Sequence, residues 1–96
     1  MTSAAPLTGS WRVARRAGLL TPGFTKRITG HVGATYHLGQ LVDRFDVITY
    51  SATEFELRYR HWPVRDRIHV RNGRCMGQGR VFGVPFCTFE LVAVSG

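Results

Sequence analysis

Lysine is nearly missing from this chain: Lys26 stands alone beside twelve arginines. Acidic residues are also scarce, 6 against 13 basic ones, which gives a net charge of +7. An arginine excess of this kind accompanies GC-rich coding and assigns no partner by itself, although such a charge draws a chain toward polyanions. There are only two cysteines, Cys75 and Cys87, too few for a disulfide framework. Neither Cys-x-x-Cys nor His-x-His occurs, and His31, His37, His61 and His69 are scattered without the close pairing that zinc sites use. No metal and no cofactor is therefore expected. No apolar run approaches the ~20 residues that span a bilayer. The opening "MTSAAPLTGSW" lacks the charged segment and apolar core of a secretion signal, so a cytoplasmic location is expected.

What is present is a β pattern. Short runs rich in β-branched and aromatic residues alternate with Gly, Pro, Asn and Ser, and a 44% hydrophobic content suits a globular core. The clearest unit is "RDRIHVRNGRCMGQG". Its Asn72-Gly73 step predicts a type I′ hairpin, which needs φ > 0 at both central residues. That register sets Arg71 opposite Arg74, His69 opposite Met76 and Val70 opposite Cys75. Alternation then places Asp66, Ile68, Val70 and Cys75 on one face, and Arg65, Arg67, His69, Arg71 and Arg74 on the other.

A second hairpin is expected to turn at Gly83-Val84, which puts Arg80 opposite Cys87 and leaves Cys75 out of reach, so no disulfide is expected. A third, turning at Ser51-Ala52, carries Phe55, Leu57, Tyr59 and His61 on one face. Glu54, Glu56, Arg58 and Arg60 form a solvated ladder on the other. Upstream, "SWRVARR" and "FTKRITGHV" read as strands, joined by a turn whose Leu19-Leu20 forms an apolar plug. Residues 37–45 fit either a short helix or a strand, with Gly39 and the flanking β-branched residues favouring strand. The sum is an all-β, antiparallel up-and-down barrel of seven or eight strands in one domain, residues 1–96, with a flexible N-terminus over 1–7. Trp11, Phe24, Ile28, Phe55, Leu57, Ile68, Val70, Phe89 and Leu91 are the expected core.

The start "LTGSW", followed by "YRHWPVRD", resembles a family of uncharacterised bacterial lipocalin-like domains. These open on Gly-x-Trp-x-Gly and carry a later Tyr-x-x-x-Pro-Ile/Val-x-Asp segment. Gly9, Trp11, Tyr59, Pro63, Val64 and Asp66 occupy the matching positions, while Val13 stands where the family has its second glycine. The resemblance implies a Trp11 that closes the barrel floor and an apolar or lipid-like ligand in the lumen. The residues themselves nominate Tyr59 and His61 as inward donors, with Tyr36 and Tyr50 as companions and Asp66 nearby. Together with Trp11 these are the expected ligand-binding residues. They would hold the polar end of a small apolar, lipid- or polyketide-like molecule, with isomerase or cyclase chemistry open.

A second class of function stands beside this one. Arg58, Arg65, Arg67, Arg71 and Arg74, with Trp62 as a stacking platform, suit single-stranded nucleic acid. Neither cysteine has a helix N-terminus or elbow to activate it as a nucleophile. Asp66 reads as a general acid or base, or as a structural residue that caps a turn or pairs with an arginine. A monomer or homodimer is expected.

Overall fold

A computed structural model describes residues 7–94. Eight antiparallel strands follow one another around a closed barrel. They are β1 (Gly9–Gly18), β2 (Phe24–Thr29), β3 (Val32–His37), β4 (Gln40–Thr49), β5 (Glu54–Tyr59), β6 (Val64–Arg71), β7 (Arg74–Val81) and β8 (Val84–Ala93). Pairing of β1 with β8 shuts the ring and removes the exposed edges that such short strands would otherwise present. The up-and-down barrel read from turn spacing is the observed fold. No helix long and apolar enough to cross a membrane occurs among the described residues.

Turn chemistry sets the registers. Asn72 and Gly73 both have φ > 0 (53° and 75°), and β6 and β7 pair as the I′ geometry requires, Arg71 opposite Arg74 and Val70 opposite Cys75. The β7–β8 turn lies one residue earlier than expected, at Phe82-Gly83 (φ 50° and 80°). The observed turn has φ > 0 at both central residues, and the same geometry at Gly83-Val84 would have forced it on a β-branched residue. A bulge then shifts the pairing, so that Cys87 faces Gly79 rather than Arg80. Both cysteines are free and buried.

The β4–β5 connection is also longer than a Ser51-Ala52 turn. Thr49 pairs with Phe55, and the amides of Tyr50 and Ser51 both donate to the Glu54 carbonyl at 2.9 and 3.2 Å. Neither Ser51 nor Ala52 adopts a positive φ, and a two-residue I′ turn cannot close without it. Residues 40–49 are strand, entered through a third positive-φ pair, Leu38-Gly39.

We name the ends by their loops. The mouth carries residues 19–23, 38–39, 60–63 and 82–83, and the floor carries 30–31, 50–53 and 72–73. Ile28, Phe45, Val47, Phe55, Leu57, Ile68, Phe89 and Leu91 are buried in the core. Phe45 and Val47 join the residues expected there, whereas Trp11 and Val70 are only partly buried against it and Phe24 is itself only partly buried. The aromatic rings lie on glycines: a Cβ on Gly33 would sit 2.5 Å from Phe45 Cε1, and one on Gly77 would strike the Phe89 ring. Leu7, expected within a flexible N-terminus, is fully buried and accepts a 2.8 Å bond from Trp11 Nε1 at its carbonyl. The remainder of that segment, 1–6, lies outside the described residues.

Candidate functional site

Strand alternation carries four polar side chains into the lumen. Lys26 comes from β2, between the inward Phe24 and Ile28; Thr35 comes from β3, Tyr59 from β5 and Asp66 from β6, and all four are buried. Lys26 Nζ donates to Thr35 Oγ1 at 2.8 Å and to the Tyr59 hydroxyl, and it pairs with Asp66 Oδ2 at 3.2 Å. The Tyr59 hydroxyl donates to Asp66 Oδ2 at 3.1 Å. With that proton placed, Thr35 Oγ1 is the donor in its 2.7 Å bond to Tyr59. Every proton that the ammonium and the two hydroxyls carry is thus held inside the cluster.

One acceptor remains. Both contacts fall on Asp66 Oδ2, and no hydrogen bond to Oδ1 is formed among the described residues. Asp66 also lines a cavity of about 640 Å³ above the cluster. Val13, Leu20, Phe24, Val64, Phe86 and Phe89 give it a largely apolar wall. The β7–β8 bulge helps to build that wall, and Gly79 leaves room for the Phe86 ring, whose Cε1 a Cβ there would approach to 3.0 Å. The lumen is thus packed toward the floor and open toward the mouth.

Burial opposes the charge on Lys26, but the Tyr59 oxygen and the Asp66 carboxylate outweigh it and raise its pKa. Burial above all pushes the Tyr59 hydroxyl up to about 12. Lys26 and Tyr59 thus both hold their protons, and Tyr59 bridges the Lys26–Asp66 pair.

A second buried carboxylate organises the mouth. Asp43, on β4, accepts from the backbone amides of Arg44 (2.8 Å), His61 (2.9 Å) and Trp62 (3.0 Å), and from His61 Nδ1 (2.8 Å). This anchors the 60–63 loop and lays Trp62 over Tyr59, ring centroids 6.1 Å apart. Burial works against the Asp43 charge, but the His61 bonds and the other amides prevail and lower its pKa from 3.8 to about 2. A depressed carboxylate contributes stability above its unfolded pKa and loses it as pH falls through the folded one. The shift corresponds to roughly 2 kcal/mol, lost between about pH 5 and pH 2. Asp43→Asn should abolish that part of the acid destabilisation, read as a flatter plot of urea midpoint against pH. An equally steep plot in the variant would refute it.

Of the residues expected to line the lumen, the structure brings together Tyr59 and Asp66. His61 does not join them: β5 ends at Tyr59, alternation stops there, and the His61 side chain is 84% exposed on Asp43. Tyr36 lies on the outer face, since its neighbour Thr35 takes the inward place. Tyr50 is outside as well, donating to Glu56 Oε1 at 2.7 Å beneath the Arg67 guanidinium. Trp11 faces the lumen opposite Lys26, near the floor. Asp66 has a lysine as its partner, not an arginine.

Of the leucines expected as a plug, Leu20 packs on the core and Leu19 stands in solvent. Lys26 and Thr35 escaped the reading of the sequence. Lys26 has a signal: it is the single lysine, at inward parity between the expected core residues Phe24 and Ile28. Thr35, in a run of small residues, has none.

The outer arginines divide. Arg58 and Arg65 share Glu56, at 3.1 and 3.6 Å, beside Trp62 and Phe82 in a shallow groove. Arg67 reaches Glu54 at 3.6 Å and Arg74 reaches Glu90 at 2.8 Å. Arg71 and Arg74 flank the floor turn, at the other end of the barrel from Trp62.

Fold and site together define a closed eight-stranded barrel whose open half ends on a buried ion pair. Comparison with protein-family models, curated proteins and solved structures gave no match to this chain.

Proposed function

We propose that the barrel binds a small apolar molecule end-on, with a hydrogen-bond donor such as a hydroxyl seated on Asp66 Oδ1. One observation carries this reading: an apolar-walled cavity of about 640 Å³ ends on a cluster that has a free acceptor and no free donor. The volume falls within the ~300–1,000 Å³ of small-molecule sites. A carboxylate tail finds no proton there and meets the charge of Asp66. Tyr59 keeps its proton and Lys26 its charge, so neither can act as a base. Asp66 is the proton acceptor the cluster offers, and any isomerase or cyclase chemistry at this site runs through it.

The test uses three probes that share a linear apolar chain, 1-octanol, octanoate and octyl methyl ether, followed by calorimetry and by melting temperature. The alcohol should bind best. A hydrogen bond to a charged group contributes ~1.5–3 kcal/mol, so the ether should be weaker by about tenfold or more. Octanoate binding as well as the alcohol would overturn the end-group assignment while leaving a cavity that binds. No response to any of the three would overturn the binding reading itself.

A further inference from the structure

Among the described residues, the four most exposed large apolar side chains all stand at the mouth: Leu19 (82%), Leu38 (76%), Phe82 (82%) and Val84 (61%). At the floor, Val32, Tyr50 and Val94 reach only about half. The turns sharpen this contrast. Leu38-Gly39, Phe82-Gly83 and Asn72-Gly73 share the same positive-φ geometry. A non-glycine residue is strained there, and asparagine tolerates it best. The floor turn uses Asn72, whereas both mouth turns place a large apolar side chain in the strained position and point it into solvent. Folding gains little from side chains that remain three-quarters exposed. The tips are also held in place: the amides of Leu38, Phe82 and Leu19 donate to Gly23, Pro63 and Phe86 carbonyls at 3.0, 3.0 and 2.8 Å.

The surrounding charge is positive. The mouth loops contain no Asp or Glu, and the nearby Asp43 carboxylate is buried. Arg15 and Arg80, at the mouth ends of β1 and β7, are exposed and form no salt bridge among the described residues. Separate protruding apolar tips with flanking cations match a deformable anionic surface better than a flat protein face.

We propose that the mouth docks on a lipid bilayer bearing anionic headgroups. Leu19, Leu38 and Phe82 enter the acyl boundary while Arg15 and Arg80 meet headgroup phosphates. Docked this way, the cavity opens directly onto the membrane, and an apolar ligand passes between the two without crossing water.

The decisive variant is Leu38→Asn/Phe82→Asn in the full chain. It supplies the residue that the turn geometry prefers, so its melting temperature should equal or exceed that of the wild type. Wild-type protein should sediment with vesicles of equal parts phosphatidylcholine and phosphatidylglycerol, and less with phosphatidylcholine alone. The variant should partition at least about tenfold more weakly, because two apolar side chains no longer leave water. Equal partitioning of variant and wild type would overturn the proposal by assigning the attraction to charge alone. So would the absence of binding by wild type, or a wild-type dimer that the variant disrupts without any vesicle binding.

Discussion

Lys26→Met should cost about 3–5 kcal/mol, whereas Lys26→Met with Asp66→Asn should cost far less. The single change leaves the Asp66 carboxylate buried in the lumen with only the Tyr59 proton to hold it. A buried charge stripped of its partner is among the most destabilising defects a small domain can carry, and total stability is only ~5–15 kcal/mol. Replacing both members removes the charges together, and the remaining amide and hydroxyls can bond to one another. Urea denaturation of wild type, both single variants and the double variant gives the coupling directly. Additive costs would show that the two groups do not form a pair.

Alkaline titration of the same proteins supplies a second test. Lys26 and Tyr59 both have folded pKa values above their ordinary 10.5 and 10.0. Their contribution is therefore complete below those values and is lost as pH climbs through the folded ones. The wild type should lose more stability there than the double variant.

The second large effect lies in the packed half of the lumen. Phe45→Ala should cost about 3–5 kcal/mol by opening a cavity. Gly33→Ala should cost about 1–3 kcal/mol for the opposite reason, because its Cβ would meet Phe45 at 2.5 Å and the Arg27 carbonyl at 2.9 Å. The double variant should be more stable than the sum of the two implies. Deleting the ring removes the clash with it, the new methyl fills part of the space, and only the carbonyl contact remains. Thermal or urea unfolding measures this, and costs that simply add would show that ring and glycine are not in contact.

The chain's own pattern determines much of this. Alternation along "RDRIHVR" and "FELRY" assigns faces correctly because the side-chain period of a strand is two and needs no partner to define it. Asn72-Gly73 determines its register because positive φ at two successive residues is a local demand that those residues meet. Closure into a barrel follows from eight short strands that would otherwise leave edges bare. Leu38-Gly39 and Phe82-Gly83 obey the same geometry but carry side chains that conceal it.

Only the tertiary structure decided the rest. His61 sits two residues beyond Tyr59, at the same parity, yet β5 ends before it and Asp43, eighteen residues earlier, draws it outward. Glu56 lies at outward parity and is buried all the same, because Arg58 of its own strand, Arg65 of β6 and Tyr50 of the β4–β5 loop converge on it. The Lys26–Thr35–Tyr59–Asp66 cluster joins four strands whose polar residues are unremarkable one at a time. Its donor and acceptor count exists only once the barrel has closed around it. A strand's period tells which side a residue faces; what waits on that side depends on residues far away in the chain, and the bonds a buried polar group makes are set by those neighbours.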